Sequence, residues 1–365
     1  MTGAPGIISQ AVSSVRPGWF TSVMGTGILA LCAGISPIRP RPLELAAIAL
    51  LALSTGLLVG LAVLLVAQAI RHPARLAATF HNPDEAQAWG APPMGFLTVA
   101  AGFFAVGPAV IGATASIAIA QVLWIVGVAG SLLSVVGVPY LMFTRLTVSR
   151  EDTDGSWLLP VVPAIVASVP SAWLVPTWPA GWQPTILAGA YAMWGAGIIL
   201  AAIVIVMYYT RLTYHSVPDA SVLPTLWIVI GPIGQSIAGI IALGEASRGV
   251  WPQWGQELHA AGLFYGLPVW GFGMYWLAIA ITVTIRAARR RLPFNLSWWS
   301  FTFPVGVLTA GTYALETATH AAIFLVVGVA LLGLLALNWA LVAVRTTHDI
   351  ARAYHDREDA RRVAG

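Results

Sequence analysis

Three pairs of ionisable residues lie near the ends of long apolar runs, and the two Glu–His pairs among them are of types that could bind a metal or act as an acid/base pair. They are Glu245 with Arg248, Glu257 with His259, and Glu316 with His320. No metalloprotease signature such as His-Glu-x-x-His accompanies them, and the rest of a metal-ligand set is missing. We therefore interpret these pairs as charges at helix ends in contact with water. A further hypothesis makes His259 and His320 proton sensors at an outer mouth, because histidine titrates near physiological pH.

Few polar side chains lie deep in the apolar runs. The main ones are Thr26, Ser131, Ser134, Gln235, Ser236 and Asn338. Serine and threonine in membrane helices usually bond to their own backbone, so each hydroxyl alone is interpreted as structural. Gln235 differs, because an amide is costly to turn toward lipid and should point inward. Pore lining and helix–helix bonding stay open as equal alternatives for it. The candidate pore-lining set is Thr26, Gly231, Gly234, Gln235 and Ser236.

The stretch from Leu292 to Gly311 places Phe301, Phe303 and Pro304 within one apolar run. A proline inside a membrane-length segment leaves a backbone carbonyl without its usual donor, and membranes tolerate this only where protein or water replaces that donor. The sequence therefore predicts that this segment borders a cavity rather than lipid. A phenylalanine there can block a narrow passage or simply fill space between helices.

The composition is that of a membrane protein. Of 365 residues, 58% are hydrophobic and 9% are charged, with a mean hydropathy of +0.82. A soluble domain carries about 25% charged residues. Cys32 is the only cysteine, so no intramolecular disulfide and no cysteine-rich metal site is expected. The arginines lie between hydrophobic runs rather than in one patch, so no nucleic acid partner is expected.

Apolar runs of membrane length recur along the chain and predict an all-α polytopic protein with ten transmembrane helices. We expect residues 1–345 to form one transmembrane domain and residues 346–365 to form a polar cytoplasmic tail. The predicted spans are about 17–36, 43–70, 93–112, 115–143, 156–178, 185–210, 222–244, 253–286, 296–317 and 321–345.

The distribution of arginine predicts the orientation of these spans. Fifteen of the eighteen arginines fall at the termini or in the loops after even-numbered spans, and only Arg39, Arg41 and Arg248 fall on the other side. Basic residues favour the cytoplasmic side, so both termini are expected there. Interior prolines fall mostly in odd-numbered spans, which predicts kinked odd helices inside the bundle and straighter even helices outside. The general abundance of proline and glycine in membrane helices is the alternative explanation.

Several motifs resemble one family along nearly the whole chain, the tellurite-resistance/dicarboxylate transporters. The Met-Gly-Thr-Gly and Gly-Pro-x-Gly-Gln patterns look closest to its malate and sulfite carriers. The matching stretches are Pro17 to Phe20, Met24 to Gly27, Pro92 to Phe96, Trp157 to Pro163, Gly231 to Gln235, Trp270 to Gly273 and Trp298 to Pro304.

This resemblance implies five helical hairpins around a quasi-fivefold central pore, assembled as a homotrimer with one pore per subunit. It also implies that a phenylalanine of the ninth helix plugs the pore. Alignment of Trp298 to Pro304 with that helix makes Phe303 the first choice for the plug and Phe301 the second. The helix pattern and the charge distribution agree with this architecture, but they do not name the cargo.

The predicted function is secondary transport or channel conduction of a small anion across the plasma (inner) membrane. The resemblance favours a C4-dicarboxylate such as malate, and sulfite or an inorganic anion is the alternative. An intramembrane enzyme that uses the Glu and His pairs is the competing class. No cofactor, no metal and no catalytic residue is expected. The expected partners are the anion, membrane lipid and two further copies of the chain.

Overall fold

The computed structural model describes residues 12–289 and 292–364, and it describes side chains as far as residue 352. This part of the chain is mostly helical, with short non-helical connections, and it contains no β-strand. Seven of its helices are long and apolar enough to cross a membrane. The protein is therefore an all-α polytopic membrane protein, as the composition predicts. The other three predicted spans, at 93–112, 156–178 and 296–317, are each divided among shorter helices.

Five long helices alternate along the chain with five shorter or interrupted helical segments. The long helices are α2 (Arg41–Arg71), α7 (Ala113–Thr144), α10 (Gln183–His215), α12 (Gly255–Ala288) and α14 (Ala322–Ala364). The alternating segments contain α1 (Phe20–Ile35), α5 (Ala91–Ala105) with α6 (Pro108–Ile111), α8 (Val162–Val166) with α9 (Ser168–Leu174), α11 (Ile230–Val250) and α13 (Phe303–Thr319). Short helices α3 (Pro73–Ala78) and α4 (Pro83–Gln87) lie in the connection between α2 and α5.

Each alternating segment begins with a 3₁₀ helix that contains tryptophan. These 3₁₀ helices are Pro17–Trp19, Ala88–Gly90, Gly155–Leu158, Leu223–Val229 and Leu296–Phe301. We call the side of the bundle on which they lie the arginine-rich face, since Arg16, Arg71, Arg145, Arg211 and Arg289 lie there. The opposite face holds residues 36–40, 106–112, 175–182, 251–254 and 320–321. Apart from this tryptophan, the repeated entry is not visible as a repeat of residue identity in the sequence.

The alternating segments form a closed inner ring. Helix α1 contacts α5, α5 contacts α9, α9 contacts α11, α11 contacts α13, and α13 returns to α1. Each inner segment also packs against the long helix that follows it, which gives five hairpins. In the apolar stretches of Pro17–Ile35 and Leu223–Val250, 72% and 94% of residues are buried, against 17–22% in the long outer helices. This is the inside and outside arrangement that the proline pattern predicts.

The prolines of the inner segments start helices more often than they bend them. Pro304 is the second residue of α13, and the backbone break lies before Phe303, at Thr302. The expectation that Pro304 interrupts a helix is therefore corrected. Proline is favoured in the first helical turn, where its missing N–H would have no intrahelical acceptor. Pro163 takes the same position in α8.

Glycines allow the inner helices to approach closely. A Cβ atom at Gly234 of α11 would overlap the backbone of Leu308 in α13, and one at Gly306 would overlap the side chain of Ile28 in α1. The Cys32 thiol donates a hydrogen bond to the Gly306 carbonyl oxygen, with a sulfur–oxygen distance of 3.1 Å. These contacts hold α1, α11 and α13 around a common axis.

The last helix continues past residue 345 without a break and ends at Ala364, so the predicted polar tail extends α14. Arg290, Arg291 and residues 1–11 lie outside the described residues, as do the side chains of the arginines beyond Arg352. The predicted orientation depends in part on these residues and stays a prediction.

Candidate functional site

The inner ring encloses a cavity of about 640 Å³ that extends toward the opposite face. All five inner segments contribute to its wall, for example through Ile28, Thr98, Val166, Gln235 and Phe303. Most of the lining is aliphatic or aromatic, and the charged residues lie at its mouth. The cavity can thus hold a small solute, and the described residues that line most of its depth carry no charge.

A second, much smaller void of about 30 Å³ lies nearer the arginine-rich face. Its lining comes from the early parts of the inner segments, including Thr21, Met94, Gly231 and Trp299. A volume of this size holds about one water molecule. The passage through the ring is therefore wide on the opposite face and nearly closed on the arginine-rich face.

Phe303 is the one described residue that borders both spaces. It is 5% exposed and stands at the first position of α13. The phenyl ring of Phe303 thus lies between the wide cavity and the small void. It is at the level where the 3₁₀ helix Leu296–Phe301 ends and α13 begins. A benzyl side chain in this position can move by rotation about its first torsion without any change in the backbone.

Phe301 lies in a different environment, although it is only two residues away. Its ring packs edge-to-face against Trp227, with centroids 5.2 Å apart, and against Trp298 at 5.7 Å. It borders neither of the two spaces. Its carbonyl oxygen accepts a hydrogen bond from Asn338 of α14. Phe301 is therefore part of the aromatic packing beside the arginine-rich face.

Gln235 borders the wide cavity and is 5% exposed. Its side-chain nitrogen lies 3.4 Å from the carbonyl oxygen of Val166, a long hydrogen bond to the neighbouring inner segment. Gln235 therefore borders the cavity and also bonds to a neighbouring inner segment. Gly231 borders the small void, whereas Gly234 lies in the contact between α11 and α13.

Thr26 and Ser236 are buried but border neither space. The Thr26 hydroxyl donates to the carbonyl of Ser22 and accepts from the indole nitrogen of Trp339 at 3.0 Å. The Ser236 hydroxyl donates to the carbonyl of Ile233 and accepts from Tyr265 at 2.9 Å. Both hydroxyls therefore join inner helices to outer ones rather than facing the cavity.

A charged cluster lies at the mouth of the wide cavity. Arg248 Nη1 is 2.9 Å from Glu245 Oε2, and the same oxygen is 3.6 Å from His259 Nδ1. All three residues border the cavity. Glu257 and His320 lie outside it, and His320 is the exposed residue of positive φ at the end of α13. Of the two histidines that the sequence analysis considered as proton sensors, only His259 therefore lies at the cavity.

Three lining residues had no distinguishing signal in the sequence. Thr98, Trp173 and Tyr313 border the wide cavity, yet each occurs in an ordinary apolar run. Trp299 had a weak signal, since tryptophan recurs just before each inner helix. Within the described part of the chain, no group of three or more His, Cys, Asp or Glu side chains is arranged to hold a metal ion.

A polar cavity of about 580 Å³ lies off the ring axis at the arginine-rich face. Asp154 is its most buried carboxylate, and it accepts a hydrogen bond from the Ser156 amide at 2.7 Å. Burial raises the pKa of Asp154 above its ordinary value. The acidic residues that line this cavity are Asp84, Glu151, Asp152, Asp154 and Asp219.

A closed ring of membrane helices around a central cavity is an arrangement typical of membrane channels and carriers. Residues 14–347 match the SLAC1 family, described as voltage-dependent anion channels. The chain belongs to this family and is an anion transporter or channel, as the resemblance predicted.

Named relatives are found in fungi and archaea. The sulfite efflux pump SSU1 of Arthroderma otae is 30% identical over 93% of this chain and 91% of its own. An uncharacterised transporter of Methanocaldococcus jannaschii is 27% identical over 93% of this chain and 94% of its own. A putative malic acid transport protein of Schizosaccharomyces pombe is 21% identical over 78% and 68%. Sulfite is thus named by the more similar relatives and malate by a more distant one, the reverse of the order predicted from sequence.

Proposed function

We propose that this protein moves small oxyanions, sulfite in the first place, through the centre of its helix ring, with Phe303 as the gate. The observation that carries the proposal is that Phe303 borders both the wide cavity and the small void. Rotation of this one benzyl ring would join the two spaces without separating the inner helices at their close glycine contacts.

The lining suits weak binding and rapid passage. Among the described residues, no charged side chain borders the small void, and the charged residues of the wide cavity lie at its mouth, whereas Gln235 supplies an uncharged amide to its wall. Conduction requires an ion to be held loosely enough to leave. Desolvation costs less for a monoanion than for a dianion, so hydrogen sulfite is the preferred species over the sulfite dianion.

Malate is the second candidate. It is supported by the putative malic acid transport protein among the relatives and by a cavity of about 640 Å³, which admits a four-carbon dicarboxylate. Export of sulfite from preloaded proteoliposomes, measured with and without malate as a competitor, separates the two. Sulfite transport that malate leaves unchanged supports the first candidate, and malate transport that sulfite leaves unchanged supports the second.

The gate is tested by comparing Phe303→Ala with Phe301→Ala in the same assay. We expect Phe303→Ala to increase sulfite flux several-fold while the protein still assembles. Phe301→Ala should lower thermal stability by about 3–5 kcal/mol, as removal of buried aromatic rings usually does, without increasing flux. If Phe301→Ala alone increases flux, the gate is misassigned by two residues, and if neither does, the protein has no phenylalanine plug.

The same assay addresses catalysis. Chemical analysis of the anion recovered after transport should show it unaltered. Conversion of the anion in step with its disappearance would instead favour the intramembrane enzyme that the Glu and His pairs suggested.

We further propose ten membrane crossings, an approximately fivefold arrangement of the hairpins, a cytoplasmic arginine-rich face in the plasma membrane, and assembly as a homotrimer. The distribution of arginine supports the orientation. The family resemblance supports the trimer. The mass of the purified protein, corrected for bound detergent, should be three times that of the 38.5 kDa chain, and a monomer would contradict it.

A further inference from the structure

Trp299 carries a buried hydrogen-bond donor that has no acceptor. The residue is 4% exposed, and no partner for its Nε1 atom exists among the described residues. Buried indole N–H groups usually find a partner. The adjacent Trp298 conforms, since its Nε1 donates to the Pro293 carbonyl at 2.9 Å, and Trp227 donates to the Thr284 hydroxyl at 2.9 Å.

Trp299 also borders the small void beside Phe303. Its ring packs tightly against α1, because a Cβ atom at Gly25 would lie only 2.8 Å from its Cε3 atom. The indole is thus held in place and cannot move toward α1 to find an acceptor. When Phe303 rotates aside, the small void joins the wide cavity, and a solute that passes the gate comes next to Trp299.

We propose that the indole N–H of Trp299 is an anion-binding donor of the transport path, on the arginine-rich side of the gate. The group donates a hydrogen bond but accepts none, and it carries no charge. It therefore favours an oxyanion over a cation without the tight hold of an arginine. Helix α13 begins at Phe303, so the partial positive charge of its first turn lies at the same level. This inference rests on the proposed function.

The test is Trp299→Phe, which keeps an aromatic ring and removes the donor. We expect sulfite flux per folded protein to fall about tenfold, the factor that corresponds to one hydrogen bond to a charged group. Thermal stability should fall less than in Trp298→Phe, because both variants leave the space of the larger ring unfilled but Trp299→Phe breaks no hydrogen bond of the protein. Replacement of Trp299 by 3-benzothienylalanine, in which sulfur stands in place of the N–H, repeats the test with the bicyclic shape preserved, should the smaller ring impair folding.

Trp298→Phe is the matched control. It removes an N–H that is already paired with Pro293, so thermal stability should fall while flux per folded protein stays near the wild-type value. Unchanged flux in both Trp299 variants would overturn the inference and leave the Phe303 gate intact. Absence of sulfite flux from the wild type and from Phe303→Ala alike would instead overturn the proposed function itself.

Discussion

The side-chain amide of Asn338 donates a hydrogen bond of 2.9 Å to the main-chain carbonyl oxygen of Phe301. The bond joins outer helix α14 to the inner segment at the end of its 3₁₀ helix, two residues before Phe303. Backbone groups at such breaks need partners from outside their own helix. Asn338 therefore fixes the backbone that carries the proposed gate.

Asn338→Leu should loosen this attachment. The Phe301 carbonyl would be left without its partner, at an expected cost of about 1–3 kcal/mol in stability. We expect a lower unfolding temperature together with increased anion leak in proteoliposomes, because Phe303 is held less firmly. Trp339→Phe is the control, since it removes only the bond to Thr26 on α1. Equal leak in both variants would mean that general destabilisation, not the gate, is responsible.

The close contact between α11 and α13 predicts a strong effect of a single methyl group. Gly234→Ala should force the backbone of Leu308 away and destabilise the ring by about 1–3 kcal/mol. Gly249→Ala lies on the same helix, where an added Cβ meets no atom within 4 Å, and should be tolerated. Fluorescence-detected size-exclusion after heating measures both. Equal tolerance of the two substitutions would show that the helices can separate at this contact.

Arg248 at the mouth of the cavity should attract anions before they enter. Arg248→Ala is expected to lower the initial anion uptake rate by about two- to tenfold at low ionic strength. The effect should shrink at high salt, because salt screens charges at a solvent-exposed mouth. Arg41→Ala makes a matched control, since Arg41 pairs with Glu44 at 3.2 Å on the same face but does not border the cavity. A salt-independent effect, or an equal effect of Arg41→Ala, would exclude attraction by the mouth.

Replacement of the buried Asp154 carboxylate should increase the stability of the protein by an amount that depends on pH. Burial raises its pKa in the folded state, so the folded protein holds a proton that the unfolded chain has released, and stability falls as pH rises through this window. Asp154→Asn should therefore raise the unfolding temperature at neutral pH, since asparagine still accepts the Ser156 N–H but carries no charge. The gain should be smaller near pH 4, where the aspartate is protonated more often. Asp152 is exposed and has a lowered pKa from its hydrogen bonds with Ser149, so Asp152→Asn should give no gain. A gain of equal size at both pH values would rule out the titration of Asp154 as its origin.

Orientation is testable because the natural thiol is shielded. Cys32 is buried and bonded to Gly306, so single cysteines can be introduced at exposed Gln253 and Asp219 without removing it. A membrane-impermeant maleimide should label Gln253→Cys in intact cells and Asp219→Cys only after permeabilisation. The reverse pattern would invert the topology, and labelling of both in intact cells would contradict the predicted number of crossings between them.

The sequence by itself determined the class of protein, the helical segments and their division into inner and outer helices. These features depend on composition and on the positions of proline and glycine, which act over one or two helical turns. The break before Phe303 was harder to locate, because Pro304 fits both a kink and a first turn.

Only the tertiary structure decided which side of each inner helix faces the passage. Gln235 and Ser236 are neighbours on one helix, yet the first borders the cavity and the second bonds to Tyr265. Phe303 and Phe301 differ in the same way. The rotation of a membrane helix depends on contacts such as Gly234 with Leu308, between residues far apart in sequence. All-round hydrophobic helices carry no periodic pattern that reveals this rotation in advance.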